Sequence, residues 1–187
     1  MFRDIHRWDQ KYRKKRTDLP SLPDAVLVSL ERHLRCNGWA LDVACGRGSN
    51  TGYLADLGYD VLGIDCSREA LEQARRDFGS DRTHWLAADF DQFFFPCGFF
   101  ELVVIVRFID RKLTSALVDS LIPGGWLFHR TFNVNHLEWA PSFNRQFILS
   151  RGELLDLYAD LNVVESNDEP DNSDPLSYLL ARKNSVD

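Results

Sequence analysis

The stretch Trp39 to Asp65, W-A-L-D-V-A-C-G-R-G-S-N-T-G-Y-L-A-D-L-G-Y-D-V-L-G-I-D, decides the fold. Trp39 to Ala44 is a short β-favouring run with no helical period. Gly46 and Gly48 then supply a turn where backbone must come close to something. Asn50 to Leu57 suits a helix, and Gly58 is placed to end it. Tyr59 to Ile64 reads as a second buried strand with Asp65 at its carboxyl end. This is one βαβ half of a doubly wound α/β fold, which binds ligands outside the carboxyl ends of its strands.

The turn also selects among ligands. A dinucleotide fingerprint needs G-x-G-x-x-G or A, with the pyrophosphate on a helix N-terminus. Gly46 and Gly48 fit, but Thr51 takes the third position and Gly52 falls one residue late. Asp42, near the end of the first strand, adds a carboxylate that would repel a pyrophosphate and favour an ammonium or sulfonium. S-adenosylmethionine carries both, and its ribose hydroxyls suit an acidic acceptor at Asp65. Singly, each feature has a plain structural alternative: a tight turn for Gly-x-Gly, a helix cap for a strand-terminal Asp.

D-V-A-C-G-R-G (Asp42 to Gly48) resembles the nucleotide-loop motif of class I S-adenosylmethionine-dependent methyltransferases, with Ala44 where many members carry a first glycine. G-I-D-C-S (Gly63 to Ser67) resembles the ribose-binding acidic motif, and A-A-D-F (Ala87 to Phe90) the adenine-contacting one. E-L-V-V-I-V-R-F-I-D-R (Glu101 to Arg111) is similar to the fourth strand and its exit, and L-I-P-G-G-W-L (Leu121 to Leu127) to the turn into the fifth. The ordered set carries more weight than any one motif. The resemblance implies S-adenosylmethionine as cofactor, S-adenosylhomocysteine as product, and Asp42, Ala44, Cys45, Gly46, Gly48, Asp65, Cys66, Asp89, Phe90 and Val106 as cofactor-binding residues. In it, Asp89 accepts from the adenine amino group and Phe90 lines the adenine pocket.

Composition bounds the rest. The chain has 187 residues and ordinary hydrophobic and charged fractions, enough for a single domain with one core. No apolar run reaches membrane-span length, and the first residues, M-F-R-D-I-H-R, lack the apolar core of a secretory signal. A cytoplasmic protein is expected. Its four cysteines (Cys36, Cys45, Cys66, Cys97) have no metal-ligand spacing and read as free thiols, so no metal is expected. Net charge of −6 argues against a general nucleic-acid binder.

Residues 1–35 read as an N-terminal helical segment. Ile5, Trp8 and Tyr12 recur at helical spacing over residues 2–16. Trp8-Asp9-x-Lys11-Tyr12-Arg13 resembles the N-terminal segment of small-molecule methyltransferases of the tellurite-resistance type, which can cover the active site. Trp8 and Tyr12 then either line the substrate side or dock the helix on the sheet. The basic residues from Arg3 to Arg16 form a solvated face or a positive lid for an anionic substrate. Ser21-x-x-Asp24, with Pro23, resembles a capped start to a helix over Asp24 to Arg35.

Residues 36–131 read as the cofactor-binding core. Ser67 caps a helix to Phe78, stopped by Gly79. Thr83 to Ala88 reads as the third strand and Phe100 to Val106 as the fourth, apolar throughout as a doubly covered strand requires. Phe93, Phe94, Phe95, Phe99 and Phe100 are core, or in part an exposed apolar patch. Lys112 to Ile122 reads as a helix, Pro123-Gly124-Gly125 as a turn, and Trp126 to Thr131 as the fifth strand.

Arg107 and Asp110 are the candidates nearest the chemistry, and no catalytic residue is assigned. Related sequences tend to read R-F-L-H-R where Asp110 stands here, and to carry glutamate where Arg130 stands. Arg107 holds an anionic substrate group or pairs with a neighbouring carboxylate. Residues 132–187 read as a substrate-side insertion followed by a C-terminal antiparallel hairpin. Phe132, Asn133, His136, Trp139 and Arg145 are candidates there, with Phe132, Trp139, Arg107, Arg130, Trp8 and Tyr12 forming the expected substrate side. Ser150-Arg151-Gly152-Glu153 reads as a capping box opening a helix to Asp160. Asn162 to Ser166 and Leu176 to Ala181 are the last two strands, and 167–175 reads as a mobile acidic loop.

The sequence therefore predicts a doubly wound, Rossmann-like sheet of about seven strands, mostly parallel. It predicts methyl transfer to a small-molecule acceptor by a monomer or homodimer without nucleic-acid or membrane partners. A non-catalytic cofactor-binding or partner module, and a nicotinamide-dependent oxidoreductase, are the alternatives.

Overall fold

The computed structural model describes residues 2–14, 20–34, 38–168 and 173–185. The expected end of the first helix, Cys36, and part of the 167–175 loop lie outside the described residues. Seven strands form one sheet in the order β3-β2-β1-β4-β5-β7-β6. They are β1 (Trp39–Val43), β2 (Asp60–Asp65), β3 (Thr83–Ala87), β4 (Phe100–Val106), β5 (Leu121–Phe132), β6 (Asn162–Ser166) and β7 (Leu176–Arg182). The Rossmann-like expectation holds: β1–β2, β2–β3 and β4–β5 pair in parallel, while β7 runs antiparallel to β5 and β6. The chain divides into two compact units, Met1–Phe94 and Phe95–Asp187.

In the first unit the helices are α1 (Phe2–Lys14), α2 (Ala25–Ser29), α3 (Ser49–Asp56) and α4 (Arg68–Phe78). Leu41, Val43, Val61 and Ile64 on the strands are fully buried, with Leu27, Leu30, Leu54 and Ala74 from the helical segments. Burial of this kind is worth about 1.5–3 kcal/mol per large aliphatic side chain. The helix expected from Asp24 to Arg35 is shorter. It runs as α2, then breaks into a 3₁₀ turn, Glu31–His33. Its cap also differs from the sequence reading. Asp24 itself accepts from the amides of Val26 and Leu27, and its own amide donates to Asn50 Oδ1 at 2.9 Å. That last bond ties the start of α2 to the first turn of α3. Ser67 Oγ accepts from Ala70 N and starts α4, as its sequence position predicts.

In the second unit α5 (Thr114–Ser120) follows a 3₁₀ turn at Arg111–Leu113, so the helix expected to reach Ile122 stops earlier. Lys183 ends it. Its ammonium donates to the carbonyls of Val118 and Leu121 at 2.8 Å each, filling acceptors that a longer helix would use. The β4–β5 register jumps from Phe100↔Leu121 to Leu102↔Trp126, so the Pro-Gly-Gly segment bulges out inside β5. Gly124 has φ +77° there. A Cβ on Gly125 would meet three backbone carbonyls at 3.0–3.2 Å.

A short α6 (His136–Trp139) lies in the insertion, and α7 (Glu153–Leu157) is shorter than the expected run to Asp160. Half of the expected capping box forms: Glu153 accepts from Ser150 N at 2.7 Å. The first amides of α7 go elsewhere, to the buried carboxylate of Asp168 just past β6. No helix among the described residues is long and apolar enough to cross a membrane.

Candidate cofactor-binding site

Between β1 and α3 the backbone takes a left-handed conformation at Ala44 (φ 55°), Gly46 (φ 55°) and Gly48 (φ 76°). Such φ values cost a non-glycine residue roughly 1–2 kcal/mol. Ala44 bears that strain at the position of the loop motif's first glycine. The turn brings Gly46 N to Asp65 Oδ2 at 2.8 Å, while Ser67 N donates to Asp65 Oδ1 at 2.8 Å. One carboxylate thus bridges the turn after β1 and the start of α4. Burial raises the pKa of Asp65, and the charge of Asp9 adds to the rise. The amides of Ser67 and Gly46 and the Cys66 thiol oppose it by bonding to the carboxylate. Beyond the two amides and the thiol, the carboxylate keeps one lone pair for a ligand hydroxyl.

The two fingerprint glycines have different reasons to be glycine. A Cβ on Gly46 would lie 2.7 Å from the hydroxyl of Tyr12. On Gly48 it would strike the Trp85 ring at 2.4 Å and Ala74 at 2.9 Å. Gly52 faces Phe78 at 2.4 Å, and Gly63 faces Trp85 and Thr51 at 3.0 Å. So Gly48, Gly52 and Gly63 let aromatic rings pack close against the βαβ unit. Gly46 is where the loop opens to a side chain from α1.

Asp42 is buried, at 1% exposure, and accepts from Thr51 Oγ1 at 2.7 Å. Burial pushes its pKa up to about 7, against the Thr51 hydrogen bond. Its carboxylate holds the first turn of α3. Cys45 lies on the loop after β1, and Cys66 directly follows Asp65. Burial raises the Cys45 thiol, and burial with the Asp65 charge pushes Cys66 up to about 12, so both stay protonated thiols. Asp89 is half-buried and turns back to accept from Asp91 N at 3.0 Å, and Phe90 is buried. Arg47, between the glycines, pairs with Asp77 at 3.1 Å on the last turn of α4.

α1 lies along α4. Asp9 Oδ1 accepts from Ser67 Oγ at 2.6 Å and from Glu69 N at 3.3 Å. Arg13 pairs with Glu69 at 3.0 Å, and Gln73 Nε2 donates to the carbonyl of Tyr12 at 3.3 Å. Trp8 and Tyr12 are half-buried with ring centres 6.1 Å apart. Lys11 Nζ stands 4.0 Å over the Trp8 ring. Burial, then the charge of Asp65, raises the pKa of the Tyr12 phenol, so it remains a neutral donor beside the loop. Sequence reasoning singled out Trp8 and Tyr12 but missed Asp9. Its signal was present: an acidic residue one turn before Tyr12 and a free helix N-terminus at Ser67.

The remaining candidates lie in the second unit. Val106 is half-buried at the end of β4. Arg107 is exposed with φ 56°, and its amide donates to Arg130 O at 2.7 Å. Asp110 accepts from Lys112 N at 3.1 Å and caps the 3₁₀ turn after it. Two residues missed by the sequence reading hold this exit. His129 Nε2 donates to the carbonyl of Phe108 at 2.9 Å, and Tyr158 OH donates to Nδ1 at 2.9 Å. A carbonyl only accepts, which assigns the proton to Nε2. Burial lowers the His129 pKa to about 4, so the ring is neutral at pH 7. Arg111 donates to the carbonyls of Gln146 and Ile148 at 2.9 Å each and pairs with Glu153.

The Phe132 ring centre lies 4.3 Å from that of His136 and 5.0 Å from that of Phe143, while Trp139 is 79% exposed. Arg130 is half-buried on β5 and Arg145 is exposed. Asn133 is buried and donates to Asp174 O and Ser177 Oγ, a structural bracing. No group of three metal-ligating side chains occurs among the described residues.

The described loop fits an adenosyl cofactor on its own chemistry: an acidic acceptor fixed at the end of β2, a buried left-handed glycine with no room for a Cβ, and a neutral phenol packed against it. Residues 40–125 match the family described as "Methyltransferase domain". A ubiquinone biosynthesis O-methyltransferase of Thiobacillus denitrificans is 31% identical over 103 residues, covering 51% of this chain and 44% of that protein. The protein of the same name from Burkholderia multivorans is 30% identical over 148 residues, covering 72% of this chain and 62% of that one. The chain thus spans roughly half of these relatives' length, 44% and 62%. Among solved structures, the N-methyltransferase NodS of Bradyrhizobium japonicum WM9 in complex with S-adenosyl-L-homocysteine superposes with a TM-score of 0.72 at 19% identity, over 94% of this chain and 98% of that one.

Proposed function

We propose that this chain, whose residues 40–125 match the methyltransferase-domain family, transfers a methyl group from S-adenosylmethionine to a small-molecule acceptor in the cytosol. The observation that carries the reading is Asp65, fixed at the end of β2 by the amides of Gly46 and Ser67. When bound, S-adenosylmethionine supplies a methyl carbon on a sulfonium, which the acceptor's lone pair attacks as the carbon–sulfur bond breaks and S-adenosylhomocysteine leaves. The chain's part is to bind, orient and exclude water. Asp65 takes the ribose hydroxyls, Gly46 keeps the loop free of a side chain beneath Tyr12, and Asp89 and Phe90 serve the adenine end.

The relatives' names support oxygen as the accepting atom. A hydroxyl acceptor must shed its proton, and His129 is held off that task because both its ring nitrogens are engaged. The N-terminal W-D-x-K-Y segment, similar to the tellurite-resistance type, supports a small acceptor rather than a polymer.

Calorimetric titration with S-adenosylmethionine and S-adenosylhomocysteine, with a nicotinamide cofactor as control, tests the cofactor. Micromolar binding of the adenosyl ligands alone is expected. Well-folded protein that binds neither would overturn the reading in favour of a partner module. Release of S-adenosylhomocysteine with a panel of phenols, thiols and oxyanions then separates enzyme from cofactor-binding relative.

A further inference from the structure

Three residues form a continuous chain from the N-terminal helix to the cofactor loop. Asp9 Oδ1 accepts from Ser67 Oγ at 2.6 Å. The amide of the same Ser67 donates to Asp65 Oδ1 at 2.8 Å. Asp65 Oδ2 in turn holds Gly46 N at 2.8 Å. Asp9 also accepts from Glu69 N, so it shares the capping of α4 with Ser67, whose Oγ takes Ala70 N. The Arg13–Glu69 pair and the Gln73–Tyr12 bond follow along the helix pair, and the Tyr12 hydroxyl reaches over to cover Gly46.

The arrangement has a physical logic. Asp65 is 6% exposed and its two oxygens are aimed by two backbone amides. One of those amides belongs to the residue whose side chain α1 grips. With α1 docked, Ser67 is fixed at both its hydroxyl and its amide, and the carboxylate has one orientation. With α1 undocked, α4 loses an acceptor at its N-terminus and the Ser67 hydroxyl keeps only its own capping bond. Asp9 also places a second negative charge near Asp65, one of the causes that raise the latter's pKa.

We infer that Asp9 is a positioning residue of the cofactor site: acting through Ser67, it sets the Asp65 carboxylate for the ribose hydroxyls, and so makes recognition of the ribose depend on α1 being docked. The inference rests on the proposed S-adenosylmethionine site, with Asp65 as ribose acceptor. It assigns the Asp of the Trp-Asp-x-Lys-Tyr segment a role separate from that of its aromatic residues. Tyr12 covers the loop, and Asp9 aligns what lies beneath it.

The test uses the full chain, with S-adenosylhomocysteine and its 2′-deoxyribose analogue as probes. In the wild type, loss of the ribose hydroxyl should weaken binding by about 10- to 100-fold, as expected for a hydrogen bond to a charged group. In Asp9→Ala that penalty should shrink to a few-fold, because the misaligned carboxylate no longer rewards the hydroxyl. Ser67→Ala removes the same link from the other side and should behave likewise, without adding to Asp9→Ala in the double variant. Asp9→Asn keeps an acceptor for both donors and should retain most of the penalty. Melting of the ligand-free variants reports any general loss of structure.

A role in helix docking alone would weaken both probes equally and leave the ratio at its wild-type value, which overturns the inference. If Asp65→Ala binds both probes as the wild type does, Asp65 is not the ribose acceptor, and the inference falls with that assignment. If Asp65→Ala loses the discrimination but Asp9→Ala and Ser67→Ala keep it, the cofactor reading stands and the positioning role is overturned. The two failures are therefore distinct.

Discussion

Asp65 Oδ2 accepts the amide hydrogen of Gly46 at 2.8 Å, across the gap between the ends of two parallel strands. The bond makes the acidic residue part of the loop that it serves. Asp65→Ala should therefore weaken S-adenosylhomocysteine binding by about 1.5–3 kcal/mol, through loss of both the ligand's acceptor and the loop's anchor. Asp65→Asn keeps one acceptor and should lose less. Calorimetric affinities that match the wild type in both variants would remove Asp65 from the site.

Ala44 stands in a left-handed conformation that glycine adopts without penalty. Ala44→Gly relieves the strain but frees the unfolded chain, so the net gain should be about 0.5–1 kcal/mol. Thermal or denaturant melts read it directly. Gly46→Ala should act in the opposite sense, because the new Cβ meets strained backbone and the Tyr12 hydroxyl at 2.7 Å. Adding Tyr12→Phe should recover only the part due to the contact.

Two buried groups make stability depend on pH with opposite signs. His129 has its pKa lowered to about 4, below the value of an unfolded histidine. Its contribution is present above about pH 6.5 and is lost as pH falls towards 4, where the native ring must take a proton. Asp42 has its pKa raised to about 7. Its contribution is present below about pH 4, the range of an unfolded aspartate, and is lost as pH rises through 7. Denaturant melts across pH 4–8 should show Asp42→Asn gaining on the wild type as pH rises. Against that background the acid-side loss from His129 becomes visible. Tyr158→Phe, which leaves Nδ1 without its donor, should cost about 1–3 kcal/mol.

Arg111 joins the exit of β4 to the insertion through the carbonyls of Gln146 and Ile148 and the carboxylate of Glu153. Arg111→Ala should cost about 1–2 kcal/mol, since its side chain is 39% exposed and water replaces part of each bond. The clearer signal is local. Amide exchange should quicken from Arg145 to Leu149 and stay unchanged in β1 and β2. Arg111→Lys cannot reproduce the fork and should resemble the alanine variant.

Much of this was legible because it is local. Gly58, Ser67 and Gly79 mark helix ends through the chemistry of one or two residues, and β1, β2 and β4 announce themselves as apolar runs. The glycine turn after β1 and the acidic end of β2 were legible for the same reason. What escaped depends on residues distant in sequence. The end of α5 is set by Lys183, and the start of α7 by Asp168. The Trp85 and Phe78 rings that pack on Gly48 and Gly52 come from later in the chain and were not legible at the glycines themselves. His129 gave no sign of its two partners, because Phe108 contributes only a carbonyl, which any residue has. Asp42 read as a ligand-facing charge, whereas burial and Thr51 make it a brace.

The strand order of the second unit bears on how the chain assembles. β7 lies between β5 and β6, although it follows both in sequence. During synthesis, β5 and β6 leave the ribosome before the strand that pairs with each of them. Until Arg182 is out, β5 has an open edge and β6 has nothing to pair with. The nascent chain therefore carries unpaired strand edges at its most aggregation-prone stage. A single late event then closes both edges at once, together with the Lys183 cap on α5.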